Sequence, residues 1–360
     1  MNKLRLYTDD NLNSLRKRQD VLADPVAGIL VNRPDLCEQI NSWQVIPEVY
    51  PSDLPSDVAA YFDFFKAKEA KAPLETLQKG QEFFSQKGDL YLAMLGFYSL
   101  PYCYAFADGA QVLIRSKRII ENIGERLGET GSFLLSLFKS GAFYENSEAY
   151  LVCAKVRLVH AFSRYFIKIH SKDWNEDLGE PINQEDLIGT NLAFSLMVLR
   201  GMRKLNQEAS PIETIQILNY WSWIGDLLGL NIGYWPETPK ESFELEKLIR
   251  KRHLKFSEAG ERLTRALISF YQETIPEPLL AKEAESIISF FIGEEASKAV
   301  GIKQRISIDG NILGLFLKIM GLRSFGAGKS YKGIESEFKK NQIEQFGTVL
   351  QVSLPVIMRS

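Results

Sequence analysis

Histidine is nearly absent from this chain. There are three in 360 residues, so any chemistry that needs an imidazole must use His160, His170 or His253. Cysteine is equally sparse. Cys37, Cys103 and Cys153 are an odd, widely spaced set with no CxxC pair, which excludes a disulfide framework and a zinc ribbon. No apolar run reaches the length of about eighteen residues that a spanning helix needs. The N-terminus Met1-Asn-Lys-Leu-Arg-Leu has no apolar signal-peptide region. Charge of one sign is also missing: 43 basic against 45 acidic residues leave a formal charge of −2. That balance gives no general attraction to nucleic acid or to an anionic membrane. Together these features read as a cytoplasmic globular protein with no nucleic-acid partner and no transmembrane segment.

Period-two alternation is rare, and no hairpin dipeptide separates two candidate strands. Helical signals fill the chain instead. Pro73-Leu-Glu-Thr-Leu-Gln has the proline and the acid of a first turn. Residues 88–107 are apolar and aromatic almost throughout, as in a helix buried on most sides. Ile119, Ile120, Ile123, Leu127, Leu134, Leu137 and Phe138 form a stripe, and residues 148–169 continue helical. Asn183 is placed to cap a helix, with Glu185 and Asp186 in its first turn. Further helices are expected over 184–205, 211–229, 240–271, 279–296 and 310–320. Gln111-Val-Leu-Ile-Arg115 reads either as a short strand or as more helix. The turn-rich stretch Asn231–Pro239 is the best candidate boundary and reads as a joint between helices of one domain. The expected fold is all-α.

Familiar catalytic patterns fail. Gly326-Ala-Gly-Lys-Ser330 resembles the end of a phosphate loop, but Arg323 stands where the first glycine is required. No histidine follows a glutamate by three, which argues against a di-iron carboxylate site. The basic run Lys251-Arg-His-Leu-Lys255, preceded by Glu241, Glu244 and Glu246, reads as the solvated face of an amphipathic helix. What remains lies around His160. Arg157, His160 and Arg164, at spacings of three and four, share adjoining parts of one helix face. Their neighbours Val156, Leu158, Val159, Ala161, Phe162 and Ile167 are apolar, so the helix is buried. Two buried arginines need anions. Structural carboxylates satisfy that need, and so do the propionates of a haem, with His160 then free to bind iron. Arg126 and Thr130, one turn apart beside Ile123, Leu127 and Leu134, form a second such position. Cys153, seven residues before His160, reads as a small core residue.

At these residues the sequence resembles the haem oxygenases that include rubber oxygenase (latex-clearing protein) and the MpaB oxygenase of mycophenolic acid biosynthesis. The likeness is carried by Arg126-Leu-Gly-Glu-Thr130, by Val156-Arg-Leu-Val-His-Ala161 with Arg164, and by Gly179-Glu-Pro-Ile-Asn-Gln-Glu-Asp186 with Thr190 and Phe194-Ser195. Trp221-Ser-Trp-Ile-Gly225 continues it. The matching core runs from about residue 20 to about residue 230. The resemblance implies one helical domain over 1–360, with a globin-like core, C-terminal helices 240–360 packed on it, and one haem b. It implies His160 as the proximal iron ligand, Arg157 and Arg164 as haem supports, and Arg126 and Thr130 as groups that hold the haem and line the pocket, with Thr130 the catalytic candidate. Rubber oxygenases can carry lysine immediately before that threonine. Glu129 stands there instead, so a lysine-capped iron is not expected. The pocket acid of rubber oxygenase has no firm counterpart, Asp108 being the nearest.

The activity implied is a haem-dependent oxygenase that takes O2, an electron donor and an apolar, isoprenoid- or lipid-like substrate. Phe97, Tyr98, Tyr102, Tyr104 and Phe106 are candidates for the pocket wall and equally candidates for plain core. The rival readings are a non-catalytic haem sensor or carrier, and a cofactor-free helical protein whose arginines pair with acids.

Overall fold

The computed structural model of the protein describes residues 3–115, 122–302 and 330–357. Along the chain the helices are α1 (Asp9–Arg16), α2 (Ala23–Leu30), α3 (Pro34–Ser42), α4 (Ser56–Glu69), α5 (Leu74–Met94), α6 (Leu100–Tyr104), α7 (Ala107–Arg115), α8 (Ile123–Phe138) and α9 (Glu148–His170). They continue as α10 (Gln184–Leu192), α11 (Val198–Lys204), α12 (Pro211–Leu227), α13 (Pro239–His253), α14 (Glu258–Thr274), α15 (Pro278–Lys282), α16 (Ala284–Ala299) and α17 (Tyr331–Phe346). No strand occurs among the described residues, and the all-α expectation holds. Gln111–Arg115 is helical, the end of α7. The expected helix over 310–320 lies outside the described residues.

Local chemistry explains several boundaries. The Asn183 side chain accepts from the Asp186 amide at 3.0 Å and starts α10. Ser210 and Glu213 close a reciprocal capping box at α12. Two expected helices are divided. Residues 240–271 break between α13 and α14, where Ser257 caps a new start through the Gly260 amide. Residues 279–296 divide at Glu283 into α15 and α16. The buried stretch 88–107 is also interrupted, by a π-helical turn at Leu95–Ser99. A second π turn, Ala193–Met197, lies against it. Such a turn carries one extra residue and leaves carbonyls without their usual partners. Two hydroxyls supply replacements. Ser99 donates to the Ala193 carbonyl at 2.6 Å and Tyr91 donates to the Phe194 carbonyl.

One contiguous apolar core runs from Leu12 to Leu354, so both ends of the described chain share it. The aromatics proposed as pocket wall belong to this core. Phe97 stacks on Tyr271 with centroids 4.5 Å apart, Tyr102 meets Tyr98 and Phe106 edge-on, and Tyr102 donates to the buried Glu246.

The basic run at 251–255 is solvated only in part: Lys251 and Lys255 are exposed, whereas Arg252 and His253 turn inward. His253 is buried. Its Nδ1 stands 3.2 Å from Asp108 of α7, and its Nε2 stands 3.0 Å from Glu185 of α10. Arg252 pairs with Glu185 at 2.7 Å and with Asp9 of α1 at 2.7 Å. Arg16 of α1 reaches Asp108 at 3.1 Å, Asp186 at 3.5 Å and Glu185 at 3.7 Å. Lys255 adds a contact to Asp108 at 3.3 Å. Only distant acids, invisible to local spacing, turned Arg252 and His253 inward. Gly179 lets the chain pass closely here: its φ is +70°, and a Cβ would stand 2.9 Å from the Arg16 carbonyl.

The cluster makes stability depend on pH. Burial pulls the His253 ring down, but its bonds to Asp108 and Glu185 outweigh that and hold it above its usual value. Burial pushes Asp186 up to about 6. Burial also raises Asp108 and Glu185, yet His253 and the neighbouring cations bring both below the usual range, so their contribution is lost only in acid. His253 binds its proton more tightly when folded. Its contribution is therefore fully present below the unfolded value of about 6.5 and is lost as pH rises through the folded one. Tm should fall as pH is raised beyond that point. In His253→Gln that decline should be absent, and an unchanged slope in thermal melts would overturn the assignment.

Candidate functional site

The site is built on α9, whose sequence suits both its ends. Glu148 lies in the first turn, and Lys168 and His170 lie in the last. Its apolar residues face α2, α4, α8 and α12. Tyr61 of α4 donates to the Ala154 carbonyl at 2.7 Å.

The two arginines beside His160 are charge-paired with carboxylates, although the Arg164 nitrogen nearest Asp24 makes no hydrogen bond among the described residues. Arg157 forms a bidentate fork on Asp20, Nε to Oδ2 at 2.6 Å and a terminal nitrogen to Oδ1 at 2.8 Å. Its remaining nitrogen donates to the Leu227 carbonyl at 3.3 Å, and its guanidinium lies 5.0 Å from the Phe64 ring centroid. Arg164 meets Asp24 with Nε at 2.7 Å and a terminal nitrogen at 2.6 Å, and its other terminal nitrogen reaches the Ile182 carbonyl at 3.5 Å. Asp20 also accepts from the Leu22 and Ala23 amides, both at 3.1 Å, and so starts α2. Burial raises its carboxyl, but the Arg157 hydrogen bond and charge outweigh that and hold it below the usual range. Asp24 goes the other way, because burial outweighs Arg164. The burial of Arg157 and Arg164 is thus accounted for without a haem propionate. Asp20 and Asp24 escaped the sequence reading. Their one available signal was spacing, two acids four apart against two arginines seven apart.

His160, like Arg164, carries an enclosed nitrogen without a hydrogen-bond partner among the described residues. The residue retains some surface, but its Nδ1 is enclosed and has no hydrogen-bond partner among the described residues. Burial, followed by the charges of Arg164 and Arg126, pushes the ring down to about 3. It is therefore neutral at any ordinary pH, the protonation state that can ligate a metal. An unpartnered buried ring nitrogen is costly in a cofactor-free protein. His160 thus fits an iron ligand.

Arg126 and Thr130 sit on α8, which packs on α9. Arg126 pairs with the buried Glu129 at 2.5 Å and remains more than a third exposed. The Thr130 hydroxyl donates to the Arg126 carbonyl at 2.8 Å. The structure thus brings Arg126, Glu129 and Thr130 together on one helix and lets the Arg126 charge reach His160 on the other. Asp108 is not part of this group, being committed to His253, Arg16 and Lys255. Cys153 is a buried free thiol raised by burial, as a core residue is.

The remaining quoted blocks meet one another. Asn191 donates to the Trp221 carbonyl at 2.8 Å, Phe194 lies 5.5 Å from the Trp221 ring, and Trp221 donates to Tyr91 at 2.7 Å. A Cβ on Gly225 would stand 2.8 Å from the Asn191 amide. These blocks position α10 and α12, and they carry packing.

No helix among the described residues is long and apolar enough to cross a membrane. No curated protein sequence matches the chain. A solved structure of latex-clearing protein, LCP, in its closed state is similar in fold, with a TM-score of 0.73 over 95% of this chain and 94% of that one at 19% identity. The family described as ER-bound oxygenase mpaB/B'/rubber oxygenase, catalytic domain, matches residues 106–307. With more than half of its length inside that match, including both site helices, the chain belongs to the mpaB/rubber oxygenase catalytic-domain family.

Proposed function

We propose that the protein is a haem b-dependent oxygenase acting on an apolar, alkene-bearing small molecule, with His160 as the residue that would hold the iron. The carrying observation is the neutral, enclosed His160 imidazole whose Nδ1 has no protein partner. Among the described residues no group of three or more His, Cys, Asp or Glu could hold a metal ion, so iron at His160 would take its other ligands from a macrocycle. When bound, haem supplies the iron at which O2 is activated for oxidation or cleavage of a carbon–carbon double bond.

The chain's residues then have distinct tasks. Burial and the charges of Arg164 and Arg126 keep His160 unprotonated and available. Arg126, part-exposed and paired with Glu129 alone among the described residues, is the cation suited to a propionate. The Thr130 hydroxyl proton is committed to the Arg126 carbonyl, so toward a bound group Thr130 would act only as an acceptor. Glu129 balances Arg126 and puts an acid where a lysine cap would stand. Arg157 and Arg164 act from behind, tying the ligand helix to α2.

Two measurements test this reading. Protein purified with haem supplied should show a Soret band that His160→Ala abolishes or grossly alters. A missing band removes haem from the account, and an unchanged one removes His160. Reduced, haem-loaded protein given O2 and candidate alkenes should then yield oxidised or carbonyl products by mass spectrometry.

The tethering role has its own signature. Removing one partner from a buried ion pair costs roughly 3–5 kcal/mol. Arg157→Met should lower the unfolding free energy of the haem-free protein by about that much. Adding Asp20→Asn, which keeps the Asp20 cap on α2, should recover a large part of it in urea melts. Were propionate binding the sole task of Arg157, the haem-free protein would lose little.

A further inference from the structure

Residues 331–354 lie outside the family match, yet they touch α8 and reach α9 through α3. Tyr331, Phe338 and Gln342, spaced seven and four apart, share one face of α17. The Tyr331 hydroxyl donates to the Leu135 carbonyl of α8 at 2.8 Å. A Cβ added at Gly131 would stand 2.3 Å from the Phe338 ring. A Cβ at Gly128 would stand 2.8 Å from both the Gln342 Nε2 and the Leu350 side chain. Two glycines on α8 thus make room for α17 and the tail behind it. The Gln342 side chain is buried between them. Its Nε2 reaches Ser132 Oγ at 3.5 Å, and its Oε1 accepts from the Leu350 amide at 2.8 Å.

The tail turns back at Gly347, left-handed with φ +74°, which returns Leu350 to Gln342. Leu354 is then fixed by both faces of one side chain amide. Its N–H donates to Asn41 Oδ1 at 2.7 Å, and its carbonyl accepts from Asn41 Nδ2 at 2.9 Å. Asn41 is on α3, and its own backbone carbonyl accepts the Lys155 ammonium of α9 at 3.2 Å. Lys155 is buried, and burial pushes it down to about 8. It lies five residues before His160. The segment therefore grips α8 within the Arg126–Thr130 stretch and ends on the residue that holds the His160 helix.

We propose that residues 331–354 are a strap that sets α8 against α9, with Gln342 as its positioning residue. Its buried amide bonds Ser132 and the Leu350 amide while packing over Gly128, and so sets Arg126, Glu129 and Thr130 relative to His160. The grip on the helices stands on contacts alone, while its consequence for a bound group rests on the haem reading.

The test is Gln342→Leu, which keeps the volume and removes both hydrogen bonds. Asn41→Ala is a milder second variant that releases the tail and leaves α17 untouched. Ile334→Val, on another part of α17, is the packing control. In haem-free protein, hydrogen exchange of amides in 123–138 and 148–160 should rise about tenfold in the first two variants, the scale of one or two buried hydrogen bonds. Soret titration should show haem affinity weakened by a similar factor, with a shifted reduction potential that Ile334→Val does not reproduce. Unchanged exchange in both variants overturns the strap. Faster exchange with unchanged affinity and potential overturns the positioning role. A wild-type protein that takes no haem overturns the functional reading, and the strap then stands or falls on exchange alone.

Discussion

Two guanidinium groups on the inward face of α9 cannot be buried without anions close enough to repay their lost hydration. Asp20 and Asp24 provide them, from the first turn of α2 and the residues just before it. Everything near His160 depends on this pairing. It fixes the rotation of α9 about its axis, because Arg157 and Arg164 must both face α2. That rotation in turn decides which way a residue three after one arginine and four before the other is presented. Asp20 does two jobs at once, starting α2 through two amides and neutralising Arg157.

The family pattern and the geometry divide the motif residues differently. A chain read in one dimension groups Arg157, His160 and Arg164 as one cofactor set. In three dimensions the arginines pair with carboxylates in and just before α2, while the histidine is kept neutral by burial and by the charges of Arg164 and Arg126. Arg126 is the one arginine of the quoted set that keeps substantial exposure, and its charge still bears on His160. A helix held by ion pairs on one side and by neutral packing on the other combines a fixed backbone with a ring whose Nδ1 has no partner among the described residues.

Much of this was legible in the sequence. The helical class, the Asn183 cap, the burial of α9 and the singular position of His160 all follow from local spacing, which registers contacts three or four residues apart. The failures share one cause. The basic run at 251–255 read as wholly solvent-facing because its acids, Asp9, Asp108 and Glu185, lie tens to hundreds of residues away. The break at residues 254–257 was hidden because the apolar period continues across it. The carboxylates facing Arg157 and Arg164 were out of reach for the same reason, 137 and 140 residues upstream. Residues 342 and 354 carried no local signal either, since Gln342 and Asn41 look like ordinary surface amides until the tail folds over them.

The paired π turns at 95–99 and 193–197 have a consequence for how this protein can vary. Each helical residue advances the chain by about 100° around the axis, so one surplus residue rotates all that follows. The Ser99 and Tyr91 hydroxyls lock the two surplus residues to each other. A one-residue deletion in either segment would restore regular helix locally while turning the downstream aromatics out of phase with their partners. Length in these two stretches should therefore be far less permissive than residue identity.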